Sequence, residues 1–193
     1  KRQKQEIANQ TTKILANNKV INGYVEIGSK GRYIRAIEKD IKINYPIYLI
    51  DDQEMSYSIE DVVERGQLSK IGTFVPLNNY NPIDKNLIPD QAVDIVTCYI
   101  GLHHAPHDRL NDFVNSIYRI LKNGGSFIIR DHDADSKQMA AFLSLAHIVY
   151  NAGLGVGWKD NQSELHNFIN IDTLTYYLQK RGFNRVGEYI LQD

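Results

Sequence analysis

The sequence predicts an α/β fold: a doubly wound, mostly parallel sheet with helices on both faces. Two observations carry this expectation. Short apolar runs alternate with stretches of helical periodicity along most of the chain, the pattern of strand–crossover–strand units. Those runs end in polar or glycine-containing loops, "GSKGR", "DDQE", "LNNYN", "YIGLHH" and "RDHD". Right-handed crossovers gather such loops on one edge of the sheet, where ligands of open parallel sheets bind.

The elements follow in chain order. "EIANQTTKIL" places Ile7, Thr11, Ile14 and Leu15 at helical spacing. "YVEIG" is a short strand after an Asn-Gly turn, and "RYIRAIEKDI" puts Tyr33, Ile34, Ile37 and Ile41 on one helical face. "PIYLIDD" is a second strand ending in acid, "SIEDVVERG" a short helix closed by Gly66, and "IGTFVPL" a third strand. "AVDIVTCYIG" is apolar and β-branched, as expected of a strand covered on both faces. The clearest amphipathic helix runs from Asp108 to Lys122, with Asp108 as its cap and Gly124 in the left-handed position past its end. "GSFIIRD" is the fifth strand. "SKQMAAFLSLAHIVY" is a helix with Met139, Phe142, Leu143, Ala146 and Tyr150 inward. A glycine-rich loop, a short helix from Asp172 to Arg181 and a late strand "NRVGEYIL" complete the series.

The 193 residues fit a single domain spanning 1–193. A net charge of −1 without a long basic run argues against an extended nucleic-acid groove or an anionic membrane surface. No apolar stretch approaches the roughly 20 residues that span a bilayer. The sequence shows no signal peptide and no initiating Met. Its one cysteine, Cys98, suits a reducing, cytoplasmic setting.

Two loops point to a nucleoside-containing cofactor. In "EIGSKGR", Gly28 takes the tight turn and Gly31 opens the helix, where free N–H groups face a ligand. Asp51 follows Gly28 by 23 positions, placed to accept hydrogen bonds from a ribose, and Asp52 beside it is the alternative. A plain strand-to-helix turn and a solvated acid are the structural readings of the same residues.

Later segments narrow the choice. "VDIVTCYIGLHH", then "IYRILKNGG", then "SFIIRDHD" resembles the class I S-adenosylmethionine-dependent methyltransferases, and "YLQKRGFNRV" is similar to that family's late helix-to-strand step. The resemblance covers about Val20 to Ile190 and implies a Rossmann-like methyltransferase fold. It implies that Glu26, Gly28, Ser29 and Gly31 hold the methionine part of S-adenosylmethionine. Asp51 would bind the ribose, Asn78 would lie near the adenine, and Tyr99 and Ile100 would border cofactor and substrate. The family's usual seventh, antiparallel strand finds little chain after "GEYILQD", so the expectation is either a sheet incomplete at its C-terminal end or a sequence that is a piece of a longer chain. The first loop also departs from the family's acid-x-Gly-x-Gly-x-Gly: either Lys30 and Arg32 stand where glycines are usual or the loop is one residue shorter, and Asn123 replaces a proline. Lys30 brings a positive charge toward a sulfonium unless it points to solvent.

His103, His104, His107, Asp108, Asp131, His132 and Asp133 fall in two neighbouring loops. Three roles compete: a substrate pocket with a general base, a divalent-metal site, or pairs that fix loop geometry. His104, then His132 and His103, are the candidate catalytic groups, and no residue is assigned to a metal. Residues 151–168, with Trp158 and glycines 153, 155 and 157, read as a lid or substrate-side insertion. The function expected is methyl transfer from S-adenosylmethionine to an unidentified acceptor: a small molecule, an RNA end or a protein side chain. A non-catalytic methyltransferase-like binding module and a nicotinamide-dependent oxidoreductase are the alternatives.

Overall fold

The computed structural model describes residues 2–15, 18–99, 101–153, 155–164 and 166–190. Five strands, β1 (Val20–Ile27), β2 (Lys42–Asp51), β3 (Thr73–Pro76), β4 (Val93–Tyr99) and β5 (Leu121–Arg130), form one sheet in the order β3-β2-β1-β4-β5. Every neighbouring pair is parallel. The order reverses between β1 and β4, and this reversal opens a crevice at the strands' carboxyl ends. Helix α1 (Arg2–Ile14) precedes β1; α2 (Ile34–Ile37), α3 (Ile59–Arg65) and α4 (His107–Ile120) lie in successive crossovers. Helices α5 (Lys137–Gly153), α6 (Trp158–Ser163) and α7 (Ile171–Gln179) follow β5.

Side-chain alternation along the strands builds two cores. On one face Val25, Ile27, Val96 and Cys98 pack with Phe113, Val114, Ile117 and Ile120 of α4 and Leu174 of α7. On the other, Tyr24, Leu49 and Ile95 pack with Ile7 and Ala8 of α1 and Ile34 and Ile37 of α2. Each fully buried Val, Leu, Ile or Phe side chain among them contributes about 1.5–3 kcal/mol. The "RILKNGG" stretch is structural. Arg119 donates to the carbonyls of Ile83 (2.8 Å) and Ile88 (3.1 Å) and to Asp90 (2.6 Å), which pins the chain leading into β4. A Cβ on Gly125 would sit 2.9 Å from the carbonyl oxygens of both Asp94 and Lys122, so only glycine allows this approach.

Several elements differ from the sequence expectation. Asn22-Gly23 is no turn: it lies inside β1 as a bulge, where Gly23 has φ +92°. Both features demand the same left-handed backbone, so the dipeptide does not distinguish them. The "RYIRAIEKDI" helix shrinks to four residues, although Tyr33, Ile34, Ile37 and Ile41 are all buried. Ile14 is exposed. Pro106, not Asp108, caps α4, with Asp108 in its first turn. Gly124 is left-handed (φ +78°) but lies within β5. Residues 184–190 form no strand, and Val186 is 89 % exposed. Their β-branched and aromatic content favours a strand only where a ladder partner exists, and none of the described strands pairs with them.

Helix α5 turns differently as well. Met139, Phe142 and Tyr150 face outward, with Leu145 and Val149. The half-buried side is Ala140, Leu143, Ser144, His147, Ile148 and Asn151. The helix is apolar nearly all round, so the greasiest stripe does not mark the packed face. Polar anchoring decides it: Asn161 of α6 donates to the Ile148 carbonyl at 3.2 Å, and Asn151 donates to Asn161 (3.2 Å) and Glu164 (2.5 Å).

Candidate active site

The register brings the expected loops together. Ile27 pairs with Ile50 on one side and Cys98 on the other, Asp51 pairs with Pro76, and Tyr99 with Arg130. Gly28, Asp51 and Tyr99 therefore end three adjacent strands at one level, spaced by the roughly 4.8 Å of a sheet. Gly28 N–H donates to the Ile50 carbonyl at 2.9 Å, and its positive φ (+74°) turns the chain. Gly28 is exposed, and the space a Cβ would enter is open. Gly31 (φ +78°) lies buried against Leu49.

Glu26 is fully buried beneath this turn. It accepts hydrogen bonds from the Ser29 hydroxyl, the Tyr33 N–H (3.4 Å) and the Tyr24 hydroxyl (3.2 Å). Tyr24 also meets Thr97 at 2.9 Å, and Tyr99 meets Thr11 of α1 at 2.6 Å, which extends a buried polar seam across β1 and β4. Burial raises the Glu26 carboxyl to about 7; the hydrogen bonds it accepts offset this only in part. The Tyr99 ring packs edge-on against Tyr33, so this side chain faces α1 and α2 rather than the open loops. Ile100 lies outside the described residues.

Asp51 is half-buried, accepts from the Gln53 N–H at 3.1 Å, and has its carboxyl raised mainly by burial. Asp52 beside it is exposed. Lys30 is drawn to Asp61 of α3 at 3.3 Å, and Arg32 to Glu64 at 3.6 Å. Both cations of the atypical loop thus pair with α3, and the Lys30 charge is also felt by Asp51. After β3, Asn78, Asn79 and Tyr80 all have positive φ (49°, 52° and 58°), a left-handed turn that leaves Asn78 exposed at the edge. The Tyr80 hydroxyl holds this turn to the Gly101 carbonyl at 2.6 Å.

At the ends of β4 and β5 lies an imidazole cluster. His103 Nδ1 is 2.5 Å from Asp131 Oδ1, and the His103 N–H reaches Asp131 Oδ2 at 3.2 Å. Asp131 also accepts from the His132 N–H at 2.8 Å, while Asp133 accepts from the Ile171 N–H at 3.0 Å and anchors α7. The acids of "RDHD" therefore brace loops. His132 Nε2 meets His147 Nε2 of α5 at 3.2 Å. His104 Nδ1 lies 3.5 Å and His166 Nε2 3.3 Å from Glu164. Burial and the surrounding imidazoles push His147 down to about 4, and burial above all lowers His132. His107 stands apart in α4 and lines a different space.

That space is a cavity of about 270 Å³ between α4 and α7, walled by Leu102, His103, Leu110, Leu174 and Tyr177 among others. Among the described residues, none of those expected to hold the cofactor lines it. It touches the imidazole cluster through His103 and Asp131 only.

A family model described as a methyltransferase domain matches residues 2–187. The chain belongs to this methyltransferase family. Solved structures share the fold. The YcgJ protein of Bacillus subtilis has a TM-score of 0.62 at 16% identity, over 94% of this chain and 68% of that one. A Burkholderia thailandensis 1,6-didemethyltoxoflavin-N1-methyltransferase, solved with bound 1,6-didemethyltoxoflavin and S-adenosylhomocysteine, gives 0.61 at 13% over 95% and 69%. A Haemonchus contortus phosphoethanolamine N-methyltransferase in complex with S-adenosylmethionine gives 0.59 at 17% over 91% and 36%. No curated protein matches the sequence. Among the described residues of the methyltransferase domain, no helix is long and apolar enough to cross a membrane.

The two-loop reading of the cluster was incomplete. His147, His166 and Glu164 join it from α5 and the following segment, more than a dozen residues downstream of "RDHD". No local motif marks them; only the return of residues 166–168 to the β4 loop does, through Asn167 N–H to the His103 carbonyl and Asn167 Nδ2 to the Ala105 carbonyl, each 2.8 Å. Trp158 is 64 % exposed at the start of α6 and does not anchor this segment; the buried Asn161 does.

Proposed function

We propose that the domain transfers a methyl group from S-adenosylmethionine to an acceptor presented at the β4–β5 loops. The observation that carries this is the alignment of Gly28, Asp51 and the end of β4 on three adjacent parallel strands, with open space above Gly28. In this reading Glu26, Gly28, Ser29 and Gly31 receive the amino-acid end, Asp51 (with Asp52 beside it) the ribose, and Asn78 the adenine. Tyr99 and Ile100 form the wall toward the acceptor, Tyr99 through its backbone. The cofactor supplies an electrophilic methyl on a sulfonium, and the reaction is an in-line displacement governed by alignment. The chain's part is to hold the ribose and amino-acid ends, exclude water and accept the proton an acceptor hydroxyl or ammonium releases. His104, then His132 and His103, are the candidates for that last task, and Asp131 holds the His103 ring. Residues 151–168 serve as the lid.

Calorimetry tests the reading. S-adenosylmethionine should bind saturably with one site per chain, and transfer of a labelled methyl group to a panel of acceptors should follow. One rival, a domain that keeps the fold without catalysis, rests on the atypical glycine turn with Lys30 and Arg32 in it. Absence of binding heat at millimolar cofactor selects that rival.

A further inference from the structure

Five of the six histidines, His103, His104, His132, His147 and His166, gather in one place. Ring centroids of His103 lie 4.1 Å from His104 and 5.2 Å from His147, and His147 lies 4.9 Å from His166. The rings come from four separate segments: the turn after β4, the loop after β5, α5 and the return of the chain at 166–168. A structural reading would pair each imidazole with a hydrogen-bond partner, because a buried unpaired polar atom costs about 1–3 kcal/mol. His103 breaks that rule. Its Nδ1 is engaged by Asp131, while its Nε2 is buried with no hydrogen-bond partner among the described residues. Carboxylate on one nitrogen and a free lone pair on the other is the arrangement of a metal-ligating histidine, whose tautomer and orientation its carboxylate partner fixes.

The surroundings complete a ligand set. One nitrogen each of His103, His104 and His147 lie mutually within 4.8 Å. A tetrahedral zinc with N bonds of about 2.0–2.1 Å needs nitrogens about 3.4 Å apart, a difference that small side-chain rotations can close. The Glu164 carboxylate stands 3.5 Å from His104 and 3.3 Å from His166, whose Nε2 is likewise buried and lacks an aligned hydrogen bond. Neutral imidazoles with a carboxylate beside them suit divalent transition metals and exclude calcium and magnesium, which take oxygen ligands.

We propose that His103, His104 and His147 bind one divalent transition-metal ion of the zinc type, with Asp131 orienting His103 and Glu164 beside the fourth position. Three histidines and a fourth position that a carboxylate, water or substrate can fill make an accessible site rather than a closed structural one. It lies at the ends of β4 and β5, on the side assigned to the acceptor. With the metal bound, His104 is a ligand and His132 is left to accept a proton. The inference concerns the cluster itself and does not depend on methyl transfer.

The test uses the full chain stripped of metal by chelation, with zinc as the titrant and cobalt(II) as the spectroscopic probe. One zinc per chain should bind, raise the thermal midpoint, and give cobalt bands of tetrahedral intensity. His147→Gln, on a half-buried helix face where folding is spared, should weaken zinc at least 100-fold. Asp131→Asn should weaken it about 10- to 100-fold. His107→Gln, which changes the one histidine outside the cluster, should leave it unchanged. Circular dichroism of the metal-free variants confirms that they are folded. Equal zinc affinity in wild type, His147→Gln and His107→Gln overturns the proposal, as does an octahedral cobalt spectrum. Cofactor binding by calorimetry is scored separately: zinc binding without it sinks only the methyl-transfer reading, and the converse sinks only the metal site.

Discussion

Glu26 makes the folded domain sensitive to pH in a direction that can be worked out. The carboxyl is buried at the end of β1, and its value is raised from 4.5 to about 7. The folded protein thus holds a proton there that the unfolded chain releases near 4.5. Below that value both states are protonated and the native state keeps its full advantage. As pH climbs from 4.5 through 7 the unfolded chain ionises first, and stability falls. At about 1.4 kcal/mol per unit, the shift is worth about 3 kcal/mol. His132 and His147 act the opposite way in part of the same window: their lowered values favour neutral rings in the fold, so their contribution is lost as pH falls below 6.5. A direct pH profile therefore mixes both signs. The difference between wild type and Glu26→Gln isolates the carboxyl, because both proteins keep every histidine. Glutamine mimics the protonated acid in shape and still accepts from Ser29 or Tyr33. Urea unfolding of the metal-free, cofactor-free chain from pH 4.5 to 8 should show the variant gaining about 3 kcal/mol relative to wild type. A difference that stays flat within about 0.5 kcal/mol refutes the burial argument. In the proposed cofactor reading, binding should also tighten with pH over this range, since an ionised Glu26 would attract the cofactor's ammonium.

Four other outcomes follow from the geometry. Asp51→Ala should weaken S-adenosylmethionine about 10- to 100-fold in calorimetry, the loss of charge-assisted bonds to a ribose; unchanged affinity removes Asp51 from the site. Arg65 is fully buried and donates to the carbonyls of Ser56 (2.7 Å), Leu68 (2.7 Å) and Ser69 (3.2 Å). Arg65→Met should cost about 3 kcal/mol of unfolding free energy, and a loss under about 1 kcal/mol contradicts the role. Gly125→Ala should cost more, about 2–3 kcal/mol, than Gly124→Ala at about 1 kcal/mol. The first collides with backbone oxygens and the second meets only a left-handed dihedral in open space. Lys30→Ala should cost less than about 1 kcal/mol, since its pair with Asp61 is partly exposed, and should not weaken the cofactor. A tenfold loss there shows that Lys30 contributes to binding.

The sheet was readable because its inner strands carry apolar runs: β1 and β4 are buried along most of their length. "AVDIVTCYIG" and "PIYLIDD" are short and mainly apolar, the mark of a strand rather than a helix at that length. The glycine turn and Asp51 were readable for a related reason: a parallel sheet places every post-strand loop on one edge, so proximity follows from topology alone. The packed face of α5 was not. Its stripe of Met139, Phe142 and Tyr150 is more apolar than the face that packs, and the choice rests on Asn151, Asn161 and Glu164 meeting across the chain. The strand expected at 184–190 failed because propensity cannot supply a ladder partner.

The chain alone determined the order of strands and crossovers, the polar ends of those strands and the two loops suited to a nucleoside, because each depends on residues near one another in sequence. The folded molecule alone decided that Lys30 and Arg32 lean on α3, that Tyr99 turns toward α1, and that five imidazoles from four segments converge around an unpaired nitrogen. Those outcomes depend on contacts between distant segments, where the competition among partners is settled by packing and burial and leaves no periodic trace in the sequence.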